Sequence, residues 1–271
     1  MKETAITSRD NALVRRARAV RMRKIDGLIF VEGVRLCEEA LVASLVIEDV
    51  LCTERLVEDE RGSRLLQALG SVCERVAILS EQVFAHVSDT KSPQGLALIA
   101  AEPRTGPEVL LNKDGRAPLI VVMHGINNPS NAGAILRTAE AAGATAAVTT
   151  AGSTDLFSPK ALRGAMGSSF RLPLMLGAEF TEILAWCRQR EVATVCADPR
   201  AARTFTEIDW TVPRALLVGA EAAGLSLEEI HAADEAVRIP MRPPVDSLNV
   251  AVASAIILYE AARQRSIDTT G

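Results

Sequence analysis

The sequence predicts an α/β protein with a parallel sheet in its second half, and two observations support this fold class. Three segments each combine an apolar strand-like run, a turn rich in Gly, Pro, Asn or Ser, and a helical pattern: residues 127–144, 216–226 and 239–260. Residues 119–125 are apolar almost throughout, as in a central parallel strand covered on both faces. Because open α/β sheets bind ligands beyond the carboxyl ends of their strands, we expect a site at these turns.

The first part of the chain has the pattern of a separate α/β domain. Its expected elements are a helix at 10–24, a strand at 28–33, a helix continuing to 45, a strand at 46–53, a helix at 53–70, and strands at 76–80 and 95–102. Residues 103–118 contain three prolines and two glycines, which is typical of a linker. The predicted domains are therefore residues 1–103 and 118–271, joined by a linker at 104–117.

Composition excludes several classes of protein. At 271 residues, with 48% hydrophobic and 24% charged residues, the chain is long enough for two domains with buried cores and is neither fibrous nor disordered. The five cysteines form no Cys-x-x-Cys pair and the three histidines have no ligand spacing relative to them, so we expect reduced thiols and no bound metal. No segment has the apolar length of a signal peptide or membrane span, so a cytoplasmic location is expected.

Residues 15–24 form a strongly basic run in a chain whose net charge is −4. A solvated helix face is the simplest interpretation of such a run. Every charge in it is positive, however, whereas a solubilising face usually mixes signs. We therefore take Arg15, Arg16 and Arg18 as candidate contacts for nucleic-acid phosphates.

The turns of the second half carry the polar groups of a candidate site. Asn128-Pro129 forms a turn, and Asn131 is expected to cap a helix that carries Arg137. Such residues often only cap and solvate a helix, so each is weak support for a site alone. In the second segment, glycines at 219 and 224 on either side of Glu221 let backbone approach a ligand. The third places Ile239-Pro240-Met241 at a strand end and Ser247-Leu248-Asn249 at a helix start, where Ser247 is expected to be the cap.

Motifs for two common nucleotide sites are missing from these turns. The segment 219–224 lacks the Gly-Lys-Ser/Thr ending of a phosphate-binding loop, and no Gly-x-Gly-x-x-Gly follows a strand. A nicotinamide-dependent oxidoreductase is therefore poorly supported. Thr149 and Gly152, at the end of another expected strand and in its glycine loop, are further candidates for cofactor contact. His124 ends the first strand of this domain and is taken as a turn residue, not a base.

Together, the three segments closely resemble the signature motifs of the SpoU/TrmH family of SPOUT methyltransferases, which transfer a methyl group from S-adenosylmethionine (AdoMet) to a ribose 2′-hydroxyl of RNA. The resemblance implies the following catalytic residues: Asn131, Arg137, Glu221, Ser247 and Asn249. It implies cofactor contacts at Gly219, Ile239, Met241 and Leu248. Arg137 would act on the ribose hydroxyl and RNA, with Glu221 orienting it. Because an arginine pKa lies above about 12, electrostatic stabilisation is its assured contribution.

The resemblance extends to the rest of the chain. Residues 1–103, most clearly 30–41, resemble the substrate-binding domain of many SpoU enzymes, which is related to a ribosomal-protein RNA-binding fold. The family pattern also implies a deep trefoil knot in the second domain and a homodimer formed through that domain. Two departures concern the cofactor loops: Ala222 and Pro243-Pro244 stand where the family commonly has Gly.

Three functions remain open on the sequence alone. The first is 2′-O-methylation of a ribose in structured RNA, with rRNA favoured over tRNA as the substrate. The second is methylation of a base nitrogen by a related SPOUT enzyme. The third is a non-catalytic RNA-binding assembly factor that keeps the fold. The polar set of Asn, Arg, Glu and Ser residues favours ribose methylation.

Overall fold

The computed structural model describes residues 5–110, 115–220 and 224–265. Glu221 and Ala222 therefore lie outside the described residues. The chain forms two compact units, one comprising Met1–Pro103 with Leu156–Arg171 and the other comprising Arg104–Asp155 with Leu172–Gly271. The first unit ends at the predicted boundary, but it also contains a segment that the sequence placed in the second domain. Within the described ranges, no helix combines the length and apolar character needed to cross a membrane.

The elements alternate between strands and helices along most of the chain. The strands are β1 (Leu28–Glu32), β2 (Ile47–Thr53), β3 (Val76–Leu79), β4 (Leu96–Ala101), β5 (Leu119–Met123), β6 (Ala146–Thr150), β7 (Leu174–Ala178), β8 (Ala193–Ala197), β9 (Arg203–Thr204), β10 (Arg214–Val218) and β11 (Glu235–Arg238). The helices are α1 (Ala12–Arg21), α2 (Val34–Val42), α3 (Glu54–Glu58), α4 (Glu60–Gly70), α5 (Glu81–Val87), α6 (Pro129–Ala141), α7 (Pro159–Ala165), α8 (Ser168–Arg171), α9 (Phe180–Gln189), α10 (Leu227–Ala232) and α11 (Val250–Gln264). A 3-10 turn, Phe205–Glu207, follows β9.

The first unit contains a four-stranded mixed sheet in the order β1-β4-β2-β3. β4 pairs antiparallel with β1 and β2, whereas β2 and β3 are parallel. Helices α1 and α5 pack their apolar faces on this sheet, around Phe30, Leu51 and Phe84. Side chains from both the helices and the strands form this core. Helix α1 contributes one apolar face to it, and its opposite face is partly exposed to solvent.

Local hydrogen bonds correct two expectations for the first unit. The single helix expected at 53–70 is divided at Asp59, whose side chain accepts from the backbone N–H of Gly62 and caps α4. Helix α5, which the sequence analysis did not predict, begins after Ser80, whose hydroxyl accepts from Val83 N–H. Short helices of this kind give weak periodic patterns.

The segment Leu156–Arg171 belongs to the first unit, where two of its arginines form ion pairs. Arg163 donates to Asp89 at 2.7 Å, and Arg171 donates to Glu39 at 2.5 Å. Leu156, Phe157, Ala161 and Leu162 are fully buried. Sequence periodicity identifies α7 but not the unit that contains it.

The second unit contains a seven-stranded sheet in the order β7-β6-β5-β10-β8-β11-β9, and all of its described pairings are parallel. The predicted α/β class with a parallel sheet is confirmed. β5, β6 and β10 are buried along their whole length, as expected for central strands with helices on both faces. Parallel pairing puts the carboxyl ends of these strands at one edge of the sheet, where the three motifs follow β5, β10 and β11.

Two predicted helix caps are wrong. The cap of α6 is Asn128, whose side chain accepts from Ser130 N–H, and Asn131 lies inside the first turn. Pro129 explains this register because its fixed φ and missing N–H suit the first helical position. The cap of α11 is Asn249, which accepts from the N–H groups of Ala251 and Val252, and not Ser247. Neither Asn131 nor Ser247 is therefore the cap of its helix. Both helices nevertheless follow the predicted motifs.

Candidate active site

A cavity of about 320 Å³ opens at the carboxyl ends of β8, β10 and β11. Six residues named in the motifs lie on its wall: Gly219, Gly224, Ile239, Met241, Ser247 and Leu248. They come from two chain segments, at 219–224 and 239–248, which the parallel sheet brings together. Ile230 of α10 and Ile257 of α11 add apolar wall. The arrangement is a concave, mostly apolar site with a few polar groups, as small-molecule sites usually are.

The loop after β10 folds back tightly at its two glycines. A Cβ on Gly219 would lie 2.4 Å from the backbone carbon of Gly224, so no other residue fits there without moving the chain. The N–H of Gly224 donates to the carbonyl of Ala220 at 2.9 Å, and Gly224 itself has a φ of +64°. Glycine adopts that conformation without the steric cost of a side chain. Backbone geometry therefore favours glycine at both positions, through close packing at Gly219 and a positive φ at Gly224.

The structure brings Asn131 and Asn249 together. The side-chain amide of Asn249 donates to Oδ1 of Asn131 at 3.2 Å, with the amide orientations assigned from the hydrogen-bond network. Asn249 thus caps α11 with its oxygen while its nitrogen reaches α6. This contact joins the first and third motifs. The hydroxyl of Ser247 donates to Asp246 at 3.2 Å beside the cavity.

Arg137 is exposed on α6 and is not among the described residues of the cavity wall. It follows Asn131 by six positions, which sets the two side chains about 120° apart around a helix. Its neighbours Ile135, Leu136 and Ala139 are fully buried, so α6 is anchored firmly beneath it. Glu221, the predicted partner of Arg137, lies outside the described residues.

Thr149 and Gly152 do not belong to the described wall of the cavity. Thr149 is buried at the end of β6, and its hydroxyl accepts from the N–H of Gly177 at 3.2 Å. Gly152 is exposed, with a φ of +78° that suits a turn. Pro243 and Pro244 lie in the exposed loop between β11 and α11. Neither proline is among the described residues of the wall.

Sequence reasoning missed the loop that follows β8. Ala197, Asp198, Pro199 and Arg200 line the cavity. Oδ1 of Asp198 accepts from Nε of Arg200 at 3.1 Å, and the backbone N–H of Asp198 donates to Val237 on β11 at 2.9 Å. The available signal was a polar group directly after an apolar strand, as in the three motifs.

The basic run on α1 divides into neutralised and exposed charges. Arg16 pairs with Glu48 and with the buried Asp49, and Arg23 pairs with Glu102 at 2.5 Å. Arg15 is exposed, and Nε of Arg18 is buried without a hydrogen-bond partner among the described residues. Arg16 is therefore unsuited to the RNA contact expected from the sequence.

His86 marks a second basic group beside α1. Partial burial and the positive charges of Arg18, Arg9 and Arg21 lower the pKa of His86. Arg21 also donates to the carbonyl of Val87 at 2.9 Å, which ties α1 to the end of α5. The pKa shift shows that these positive groups are close enough to repel a further proton.

The five cysteines and the acidic residues show no metal chemistry within the described ranges. None of the five cysteines forms a disulfide bond, and all are buried. Burial raises the pKa of Cys187 to about 12 and that of Cys196 to about 11. No group of three or more His, Cys, Asp or Glu among the described residues is arranged to hold a metal ion.

Two family models match the chain. Residues 118–259 match the SpoU rRNA methylase family, and residues 11–98 match the MRM3-like substrate binding domain. The 23S rRNA guanosine 2′-O-methyltransferase RlmP of Bacillus subtilis is 31% identical over 84% of this chain and 86% of its own.

Solved structures agree with these matches. A crystal structure of an RNA 2′-O ribose methyltransferase is 34% identical, covers 97% of this chain and 100% of its own, and gives a TM-score of 0.83. An AdoMet-bound rRNA methyltransferase from Sinorhizobium meliloti is 29% identical, covers 96% and 97%, and gives a TM-score of 0.82. With the parallel sheet, the motif cavity and the paired asparagines, these matches show that the chain belongs to the SpoU rRNA methylase family.

Proposed function

We propose that this protein transfers the methyl group of AdoMet to a ribose 2′-hydroxyl of rRNA. The observation that carries the proposal is the cavity at the ends of β8, β10 and β11, because motif residues of a methyltransferase family form its wall. Relatives named as 23S rRNA 2′-O-methyltransferases support rRNA as the substrate.

The residues on the cavity wall suit AdoMet. The backbone at Gly219 allows a ligand to approach closely, and Ile239, Met241 and Leu248 provide apolar surface for an adenine ring. The carboxylate of Asp198 supplies an acceptor for ribose hydroxyls or an ammonium group. When bound, the sulfonium cofactor supplies an electrophilic methyl group. We retain these residues, rather than Thr149 and Gly152, as the cofactor contacts.

Asn131, Arg137 and Asn249 would position the RNA. The hydrogen bond between the two asparagines fixes their amides beside the cavity, so both are ordered before substrate binds. The guanidinium group of Arg137 would hold a phosphate through two hydrogen bonds and stabilise negative charge on the attacking 2′-oxygen. Because attack requires the hydroxyl and the methyl carbon to be aligned, much of the rate enhancement would come from this positioning. Ser247 and Glu221 complete the proposed polar set.

The first unit would capture RNA through one face, which we call the α1–α5 basic face: Arg9, Arg15, Arg18, Arg21 and His86. Arg15 and Arg18 lie one turn apart and so share a side of α1. Burial, together with the positive charges of Arg18, Arg9 and Arg21, lowers the pKa of His86. Arg16 is excluded because Glu48 and Asp49 neutralise it. Phosphate contacts of this kind give affinity that falls with salt.

The protein would act as a homodimer through α11. Val252 and Tyr259 lie two turns apart on one side of that helix, with 49% and 56% of their surfaces exposed. Apolar groups aligned in this way favour burial against a second copy, and an isologous interface would pair the same face twice. The trefoil knot implied by the family resemblance remains a prediction. A cytoplasmic location fits the buried cysteines, because reduced thiols persist there.

Labelled AdoMet tests this function directly. The full-length protein is incubated with unmodified rRNA and tRNA, and the products are digested to nucleosides. We expect label on the ribose of an rRNA nucleotide. Label on a base would identify a base methyltransferase instead. Measured AdoMet binding without transfer to either RNA would favour a non-catalytic assembly factor.

A further inference from the structure

His124 connects two of the strand ends that carry the motifs. It follows β5, and its backbone N–H donates to the carbonyl of Val218 at the end of β10 at 2.8 Å. Its Nε2 lies 2.9 Å from Oε1 of Glu229 on α10. Only 23% and 26% of the two side chains are exposed, so solvent weakens this contact less than a surface pair.

Both partners are held in place by further contacts. The imidazole ring meets the ring of Phe180 edge-on, with 4.7 Å between ring centroids. The second carboxylate oxygen of Glu229 accepts from the N–H of Ser226 at 2.7 Å, and the Ser226 hydroxyl accepts from the N–H of Glu229 at 3.2 Å. This reciprocal capping box fixes the start of α10.

The ionisation of Glu229 agrees with this arrangement. Burial acts to raise the pKa of its carboxyl group, but hydrogen bonds from Ser226 and the imidazole of His124 outweigh it and lower the pKa. The carboxylate is therefore ionised at neutral pH and accepts hydrogen bonds from both sides.

The His124–Glu229 pair adjoins the cavity without facing it. Gly224, Leu225 and Ile230 line the cavity, and the last two directly flank the segment that Ser226 and Glu229 fix. A shift of α10 away from β5 would therefore move the wall. α10 has only six residues, so its position depends on such side-chain contacts more than on its own helical stability.

We infer that His124 and Glu229 are a positioning pair that holds the wall at 224–230 in the shape that admits AdoMet. The inference rests on the proposed assignment of the cavity to this cofactor. Neither residue touches the cofactor; both act through the backbone and side chains between them. The role differs from that of the polar set at Asn131 and Asn249, which faces RNA in the proposed function.

Calorimetric titration of the full-length protein with AdoMet tests the pair. His124→Phe keeps an aromatic ring beside Phe180 but removes the hydrogen bond, and we expect the AdoMet Kd to rise about three- to tenfold. Glu229→Gln keeps an oxygen for the capping box but loses the charge, and a smaller rise in Kd is expected. The double variant should be no weaker than His124→Phe, because the two changes remove one interaction.

Three controls separate positioning from general destabilisation. His124→Gln keeps an N–H donor within reach of Glu229 and should bind AdoMet within about twofold of the parent. Glu228→Gln, on the exposed side of the same helix, should leave Kd unchanged. RNA affinity measured without AdoMet should be the same in all variants, since neither residue belongs to the proposed RNA-facing polar set or to the α1–α5 basic face.

Gly219→Val distinguishes failure of this inference from failure of the cofactor assignment. Its side chain would collide with the backbone of Gly224 and Leu225 and should abolish AdoMet binding. Suppose that Gly219→Val abolishes AdoMet binding. The pair then has no positioning role if His124→Phe leaves the AdoMet Kd unchanged, or if the effects of His124→Phe and Glu229→Gln on Kd add in the double variant. If Gly219→Val binds AdoMet normally, the cavity is not the cofactor site and the inference is overturned with it.

Discussion

At the scale of single residues, Arg137 is set apart from the other described candidate catalytic residues by its position, because it lies neither on the described cavity wall nor in the contact between the two asparagines. Asn249 and Asn131 are joined by a hydrogen bond, and Ser247 lies on the cavity wall. Arg137 instead extends from a helix whose opposite side is fully buried. A guanidinium group on a rigid support loses little freedom on binding, which suits it to hold a phosphate. Its proposed contribution therefore concerns RNA more than AdoMet.

Replacement of Arg137 tests that division of roles. We expect Arg137→Ala to lower methyl transfer by at least about a hundredfold, because one group that stabilises developing negative charge is lost. The AdoMet Kd should be unchanged in calorimetric titration. Arg137→Lys keeps the charge but not the bidentate geometry and should retain partial activity. Equal losses of transfer and AdoMet affinity in Arg137→Ala would contradict the assignment to RNA.

At the scale of elements, the two sides of α1 differ in charge although the helix is basic throughout. Glu48 and Asp49 on β2 neutralise Arg16, whereas Arg9 and Arg18 contribute to the potential that lowers the pKa of His86. The run at 15–24 contains six charges, all of them positive. Only the fold shows which of these charges are neutralised by acidic partners.

Charge reversal on the α1–α5 basic face should weaken RNA capture. The double variant Arg9→Glu/Arg18→Glu should lower rRNA affinity at least about tenfold at moderate salt. Binding would then neutralise fewer phosphates and release fewer counterions from the RNA. The slope of log affinity against log salt should flatten in the same titrations. Arg64→Glu, on the exposed side of α4, is a control for charge reversal elsewhere in the same unit. Equal effects of Arg64→Glu would show that only net charge matters.

The pairing of β8 with β11 depends on a carboxylate at the start of β11. Asp234 accepts from the N–H and hydroxyl of Thr194 at 2.8 and 2.7 Å. Burial acts to raise its pKa, but these hydrogen bonds outweigh burial and lower it. A lowered pKa means that the stabilisation is present above the unfolded value, about 3.9, and is lost as pH falls through the folded value.

Asp234→Asn should therefore be destabilising in a pH-dependent way. At pH 7 we expect a loss of about 1 kcal/mol in the free energy of unfolding, a modest value because the carboxylate is partly exposed to solvent. Urea unfolding monitored by circular dichroism measures it. The difference from the parent should shrink as pH falls below about 4, because the parent carboxylate becomes protonated as pH passes its lowered folded pKa. A constant difference across this pH range would show that ionisation is not involved.

The elements that sequence could predict are those with long, uniform patterns. The apolar runs of β5 and β10 indicate buried parallel strands, and the motif turns locate the site edge. The cap at Asn128 was missed because two asparagines three positions apart are equally good caps until Pro129 fixes the register. The ion pairs of Arg16 were not predicted because its partners are 32 and 33 residues away in the sequence. Asp198 was missed because its strand carries no motif.

At the scale of the whole molecule, the exposed side of α11 should determine the oligomeric state. Tyr259→Glu should convert a dimer to a monomer in light scattering, because a charge buried in an apolar interface has no partner. Val42→Glu, at an apolar residue of the first unit with 75% exposure, should leave the dimer intact. A parent protein that is monomeric at micromolar concentration would contradict the proposed dimer. So would a Tyr259→Glu variant that remains dimeric.

The segment Leu156–Arg171 has a consequence for how this protein can be divided. The chain leaves the first unit at residue 103, returns at 156 and leaves again at 171. A fragment ending at the linker would lack Leu156, Phe157 and Leu162, which are fully buried in the whole chain. A fragment beginning at the linker would carry those same side chains without the unit that covers them. Each half expressed alone should therefore be prone to aggregation. The chain cannot be cut at the linker into two fragments that each keep a complete core.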